Sequence, residues 1–332
     1  MFDIPVAIFI FRRTTGLEQI INRLREIEVS KLYIIADGPR NKQEKIETDF
    51  CREKLEKLID WKCEVVKNYA SSNRGVFSNI GLGAKWVLER EEWAIFIEDD
   101  NLPEKTFFYF CKELLQKYKF EKKVLWICGT NYLGEYETNV SYMFTQHLLP
   151  CGWASWSNKF LNYYDGYLEG LNDAEKIKKF KKSYANKSLF RQQLYSIKRT
   201  KYLLERCPQK SSWDYQMLFS IRANQFYGIS PNKNQIQNIG VDSFSEHGGS
   251  SWNNEMTKRF CGMSSYELSF PLIHPTAIEI DNQYEKKISN IILMPLRDRV
   301  KRVAASMLKP FLGLKPYDSM AEYIIRKRND KI

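Results

Sequence analysis

Residues 93–103 read WAIFIEDDNLP. Ala94, Ile95, Phe96 and Ile97 make an unbroken apolar run, the pattern of a strand buried on both faces. Glu98, Asp99 and Asp100 follow without a spacer. Like charges held together at a strand end repel one another, and dehydrating each costs on the order of several kcal/mol unless a cation answers it. Mg2+ and Mn2+ prefer carboxylate and phosphate oxygens and bridge a few carboxylates to a substrate diphosphate, so the triplet reads as a cation site. The competing reading is a helix cap, because Asp100 or Asn101 ahead of Pro103 and Glu104 makes a good helix start. A cap needs one polar residue and not three, and the two readings are compatible.

Working outward, strand-like runs alternate with helical patterns through the first half of the chain. PVAIFIF (5–11), KLYIIADG (31–38) and WKCEVVKN (61–68) precede the quoted strand, with helical stretches between them and another near Ser78 to Arg90. Such alternation predicts an α/β fold with a mostly parallel sheet covered by helices. Sites in these sheets lie beyond the carboxyl ends of the strands. Arg12 and Arg13, Asp37 and the acidic triplet all fall there, so they are expected to share one crevice. The second half adds strand candidates in VLWICGTNY and YMFTQHLLP, and CGWASWSNKF reads as a loop entering a helix. A Lys-, Tyr- and Leu-rich helical insertion is expected over 159–210, and SSWDYQM (211–217) opens another helix. QFYGISPNKNQIQNIGVDSFSEHGGSS then reads as a strand and a long polar loop.

With 332 residues and 43% hydrophobic content, the chain can bury a sizeable core. No run approaches the roughly 20 apolar residues of a spanning helix, and the N-terminus lacks the pattern of a leader. Seven scattered cysteines without a CxxC pair argue for a reducing compartment, the cytoplasm, and against structural zinc. The net charge of +11 is gathered at one end: from Glu285 onward 12 Lys and Arg face 5 Asp and Glu. With no recognisable nucleic-acid module beside it, that charge does not point to nucleic acid. Leu296, Val300, Val303, Met307, Leu308 and Phe311 share one face of a basic helix within 296–314. Such a helix either packs on the body of the protein or docks at an anionic membrane surface.

Other candidate residues each carry two readings. Arg12, Arg13 and Asp37 suit a nucleotide laid over the sheet edge, although ADGPR is equally a turn. Asn73, Arg74 and Gly75 form a tight turn toward the same crevice, and no GxxxxGK[ST] loop supports an ordinary ATPase. Asp214, between Trp213 and Tyr215, is a general base in an aromatic pocket or a helix cap. His247, in SEHGGSS, suits a lid over phosphates or a metal, or is merely on the surface. Trp153, Trp156 and Trp213 stack on sugar faces or belong to the core.

The order VAIFIFRR, IIADG, NRGVFSNIGLGAKWVLE, WAIFIEDDNLPEKTFFYF, LPCGWASW, SSWDYQM and NIGVDSFSEHGG resembles GT-A fold nucleotide-sugar glycosyltransferases. Within them it is most similar to the alpha-1,3-mannosyl-glycoprotein beta-1,2-N-acetylglucosaminyltransferase family and its bacterial, family-2-like relatives. The resemblance spans about residues 4–255. It implies a Rossmann-like domain over 1–255, with a nucleotide-sugar half at about 1–132 and an acceptor half at 133–255, and leaves 256–332 as a basic helical extension. By the same resemblance Asp100 binds Mn2+ or Mg2+, Glu98 and Asp99 hold sugar and ribose, and Arg13 and Asp37 hold a uracil nucleotide; Arg74, from its turn facing the crevice, is expected beside them as a further nucleotide contact. Asp214 is implied as the base, although the family often has two acids where this chain has Asp-Tyr, and Ser245 and His247 as closing on the diphosphate. The implied activity is inverting, metal-dependent transfer of a hexosyl or N-acetylhexosaminyl group from a nucleotide sugar, UDP-linked, to a glycan acceptor. That acceptor would be lipid-linked, at the inner face of the plasma membrane, in surface polysaccharide synthesis. Two alternatives stand beside it. A sugar-phosphate nucleotidyltransferase would use a related sheet and acidic site, although RRTTGLEQ offers one glycine where such enzymes carry a glycine-rich loop. The other is a carbohydrate-binding protein without catalysis.

Overall fold

The computed structural model describes residues 1–242 and 255–329. Its centre is an eight-stranded sheet in the order β3-β2-β1-β4-β8-β6-β9-β7. The strands are β1 (Val6–Ile10), β2 (Lys31–Ala36), β3 (Glu64–Tyr69), β4 (Trp93–Glu98), β6 (Val124–Cys128), β7 (Tyr142–Thr145), β8 (Trp153–Trp156) and β9 (Tyr227–Pro231). A two-stranded antiparallel ribbon joins β5 (Asn101–Pro103) to β10 (Ile236–Asn238). Strands β3, β2, β1 and β4 are mutually parallel, as are β6 and β9, whereas β8 and β7 run antiparallel to their neighbours. The architecture is the α/β, Rossmann-like one expected.

Twelve α-helices surround the sheet among the described residues: α1 (Leu17–Glu26), α2 (Lys42–Leu58), α3 (Leu82–Leu88), α4 (Lys105–Lys117), α5 (Ser157–Tyr163) and α6 (Ala174–Lys182), then α7 (Lys187–Arg206), α8 (Asp214–Ala223), α9 (Glu255–Phe260), α10 (Asn282–Ile292), α11 (Leu296–Leu308) and α12 (Met320–Asn329). Both faces of the sheet are covered, which is why β1 and β4 lack alternation. One apolar layer joins Ile8, Ile34 and Ile97 to Leu17 and Leu24 of α1, Cys51 of α2 and Phe107 of α4. The opposite layer joins Phe9, Ile35 and Phe96 to Ala84 of α3, Phe160 of α5 and Met217 of α8. Strand β1 feeds β2 and β3 on one side, and the chain then returns to place β4 on its other side. That reversal of order makes a crevice beyond the carboxyl ends of β1 and β4.

Three departures from the sequence reading matter for the site. CGWASW is not a loop: Trp153–Trp156 is the central antiparallel strand β8, with Ala154 opposite Ile95. Asn101–Pro103 and Ile236–Asn238 also pair as strands, too short to show a period. The C-terminal part is not uniform, because Tyr284 and Ile288 of α10 enter the core while α11 and α12 lie outside it. Helix α10 is held by Glu285, which accepts from Arg222 Nη2 at 2.8 Å, Thr145 Oγ1 at 2.6 Å and the Gln146 amide at 3.1 Å. His147 completes that buried group, and burial holds its imidazole down at about 4.

Candidate functional site

The acidic triplet lies at the strand reversal. Glu98 is the last residue of β4 and sits opposite Phe9 of β1. The cap reading of Asp100 and Asn101 fails, because α4 starts at Lys105 with Glu104 in the cap position and no side-chain cap bond. Asn101, fully buried, instead receives the Gly152 amide on Oδ1 at 2.9 Å and donates through Nδ2 to Asp100 Oδ1 at 2.5 Å.

Arg13, three residues beyond Ile10 at the end of β1, turns into the acids. Its Nη1 lies 2.9 Å from Asp99 Oδ1 and 3.4 Å from Asp100 Oδ2, and its Nε lies 3.1 Å from Asp242 Oδ2. The Phe11 amide also donates to Asp99 Oδ2 at 3.3 Å. Asp242 was missed in the sequence. It reaches the site because β10 pairs with β5 and the Ile239 amide donates to the Asp100 carbonyl at 2.8 Å, which lays 239–242 across the triplet. Gly240 permits the close approach: a Cβ there would stand 2.6 Å from Asp100 Cβ and 3.0 Å from Arg13 Nη1. No pattern in the sequence shows that two distant segments meet this way.

Electrostatically the cluster is overloaded with negative charge. Burial first, and then Asp100, Asp99 and Asp214, raise the proton affinity of Glu98 well above the carboxylate range. Burial lifts Asp99 to about 7 although Arg13 pulls the other way. Among the described residues Glu98 has no hydrogen-bond donor, whereas Asp99, Asp100 and Asp242 are answered by Arg13. A mostly buried carboxylate without a donor, beside two further carboxylates, is a donor set that suits a divalent cation. Among the described residues no three His, Cys, Asp or Glu side chains form a ready cage. Mg2+ is ordinarily held by one or two carboxylates with substrate phosphates supplying the rest, so the fit stands.

Asp214 is the first residue of α8, and the Ser212 hydroxyl donates to its carboxylate. Its charge is felt by Glu98, Tyr132 and Tyr164, which brings it to the same crevice. A carboxylate in the first turn of a helix is stabilised as the anion. Tyr132, Cys151 and Asn238, also missed in the sequence, line a small cavity with Phe260 and Met263 at this end of the sheet. Burial pushes the Cys151 thiol well up, and the charge of Asp100 adds to that shift.

Asp37 belongs to a different group. Its Oδ1 accepts from the amides of Gly38 at 2.7 Å and Arg74 at 2.8 Å. Its Oδ2 accepts from Asn73 Nδ2 at 3.0 Å and the Gly75 amide at 3.1 Å. Four donors use the roughly four lone-pair positions of a carboxylate, so Asp37 is engaged by its own loop and the 73–75 turn. Asp37 builds the 73–75 turn. Gly75 is obligatory there, with φ of 78° and the Gln209 backbone 2.5 Å from where a Cβ would stand. Arg74, carried by that turn, donates from Nε to Asn79 Oδ1 at 3.0 Å and from Nη1 to Asn68 Oδ1 at 3.0 Å. Among the described residues its guanidinium is paired with amide oxygens and not with a carboxylate.

The tryptophans are core. Trp153 is sandwiched between Phe96 at 4.0 Å and Trp126 at 4.2 Å, and Trp213 extends the stack at 5.6 Å from Trp153. Trp156 points to the other face and donates from Nε1 to the Leu115 carbonyl at 2.8 Å. All three are at most 4% exposed, so none offers a face to a sugar. Ser245 and His247 lie outside the described residues.

No protein-family model matches the chain, and no curated protein matches it by sequence. Among solved structures, a UDP-glucose pyrophosphorylase complexed with UDP-glucose is 11% identical, with a TM-score of 0.36, over 71% of this chain and 94% of its own. The 4-diphosphocytidyl-2C-methyl-D-erythritol synthase of Anaerococcus prevotii DSM 20548 is 11% identical, with a TM-score of 0.31, over 50% of this chain and 77% of its own. Neither is a glycosyltransferase; both are nucleotidyltransferases. Neither structure supports the glycosyltransferase activity implied by the sequence resemblance, so that activity is withdrawn, and nothing in the comparisons supports a glycan acceptor. At such identity the substrates of those two proteins are not transferred to this chain.

Proposed function

We propose that the protein is a divalent-cation-dependent sugar-phosphate nucleotidyltransferase, joining a nucleoside triphosphate to a sugar 1-phosphate. The observation that carries this reading is the acidic cluster at the β1–β4 reversal, with Glu98 lacking a donor among the described residues and Arg13 answering its neighbours. In the proposed reaction a phosphate oxygen of the sugar phosphate attacks the α-phosphorus of the triphosphate. The bond from that phosphorus to the bridging oxygen breaks, and pyrophosphate leaves with the electron pair.

Asp100 and Glu98 are the residues that would hold Mg2+ or Mn2+, which when bound supplies charge neutralisation for the phosphates. Arg13 keeps Asp99 and Asp100 in position and offsets their repulsion. Arg74, a cation paired with neutral oxygens, is suited to exchange them for a phosphate. The attacking phosphate needs no general base, because its second ionisation lies near pH 6.

The test is a matrix of nucleoside triphosphates and sugar 1-phosphates with Mg2+ or Mn2+, read as pyrophosphate release. The expected result is release that requires both substrates and the cation and is lost in Asp100→Asn. No release from any pair, with turnover of a nucleotide sugar instead, would overturn the reading.

A further inference from the structure

The amphipathic helix α11 is mounted with its apolar side outward. Leu296, Val300, Val303 and Met307 fall on one stripe, continued by Phe311 in the turn just past the helix, and the five are 67%, 59%, 55%, 67% and 87% exposed. Rotating the helix about its axis would bury them, but the opposite side is already committed. Arg302 lies over the Tyr195 ring of α7 at 5.1 Å, and Lys309, 5% exposed, donates from Nζ to the Pro316 carbonyl at 2.7 Å. The segment that follows is tied to the same helix: Tyr202 donates to Asp318 Oδ1 at 2.6 Å, and Tyr317 packs against Tyr195 and Tyr202. Arg302 over Tyr195 and Lys309, which also donates to the Tyr195 hydroxyl at 3.4 Å, fix the helix to α7 while its apolar stripe faces solvent, the reverse of a helix that completes a core.

An exposed apolar stripe of this length marks an interaction surface. Its surroundings select the occupant. Arg297 and Lys301 are exposed along its flank, and the chain from Glu285 onward carries 12 Lys and Arg against 5 Asp and Glu. Farther on, Ile324 and Ile325 of α12 add exposed apolar side chains next to exposed Lys327. Apolar residues that enter the acyl boundary and basic residues that stay at headgroup level are the two requirements of an interfacial helix. We infer that α11 docks the protein on an anionic lipid surface, with Val300, Val303 and Met307 inserted and Arg297 and Lys301 at the headgroups. The inference is independent of the reaction proposed above. Among the described residues no helix is long and apolar enough to cross a membrane, so the attachment is peripheral.

The experiment is flotation of the full chain with vesicles of phosphatidylcholine alone and of phosphatidylcholine mixed with phosphatidylglycerol. Wild type is expected to float with the anionic vesicles, less so at high salt, and not with the neutral ones. The Val300→Glu, Val303→Glu, Met307→Glu variant is expected to float on the order of tenfold less, because charges replace the inserted side chains. Its melting curve should match wild type, since those positions are exposed. Wild type remaining unbound on every vesicle overturns the inference. So does a wild-type dimer in light scattering that the triple variant converts to monomer, which would assign the stripe to a second copy of the chain.

Discussion

Two carboxylate sites lie at the ends of parallel strands in this protein, and they are built oppositely. After β2, Asp37 is saturated by four donors from its own loop and from the 73–75 turn. After β4, Glu98, Asp99 and Asp100 crowd together, with Arg13 answering two of them and Glu98 without a donor among the described residues. Saturation makes an acid part of the scaffold, because it has nothing left to offer a ligand. Crowding raises proton affinity and leaves a demand for positive charge that a cation and its substrate can meet.

If this contrast is right, substitutions at the two sites should have opposite signatures. Asp100→Asn should cut pyrophosphate release by on the order of 100- to 1,000-fold while leaving the melting temperature unchanged or slightly raised. Steady-state assays beside calorimetry check both halves. Asp37→Ala should instead destabilise the fold by about 3 kcal/mol, since several inward-facing donors lose their acceptor at once. Urea unfolding measures it, and a loss below about 1 kcal/mol would mean that the saturation is not structural. Gly240→Ala sits between the two cases. It forces the 239–242 segment off Asp100 and Arg13, at a cost of about 1–3 kcal/mol, and should weaken nucleotide binding more than it lowers stability.

The smallest expected effect is a pH slope. Unfolded, Asp99 titrates near the ordinary 3.8; folded, burial holds it at about 7. The unfolded chain therefore releases this proton first, so cation-free stability falls as pH rises through that interval and levels off above it. Denaturation midpoints across the interval should show a shallower decline in Asp99→Asn, and an unchanged slope would place the raised proton affinity elsewhere.

Much of this arrangement was legible in the residues. The unbroken apolar run of 94–97 announced a strand covered on both faces, and the acids behind it marked the site's centre, because both signals are local. Arg13 was legible for the same reason, lying just past a strand end. What stayed hidden depends on pairings between distant segments. Asp242 and Gly240 reach Asp100 through a three-residue strand that carries no period, and CGWASW looked like a loop because Gly152 and the tryptophans obscured a strand. Whether an acid is crowded or saturated is likewise invisible in sequence: Asp37 and Asp100 are the same residue type in the same kind of place. The tryptophans near the site read as sugar platforms, yet three of them are spent on packing against Phe96, Trp126 and the Leu115 carbonyl.

The central claim is that the carboxylates after β4 take up a divalent cation together with a nucleotide. Electron paramagnetic resonance of Mn2+, titrated with protein in the presence of a nucleoside triphosphate, tests it most directly. The account predicts a protein-bound Mn2+ signal for wild type and for Asp37→Asn, and its loss in Asp100→Asn. An equal bound signal in Asp100→Asn, or none in wild type, would contradict it.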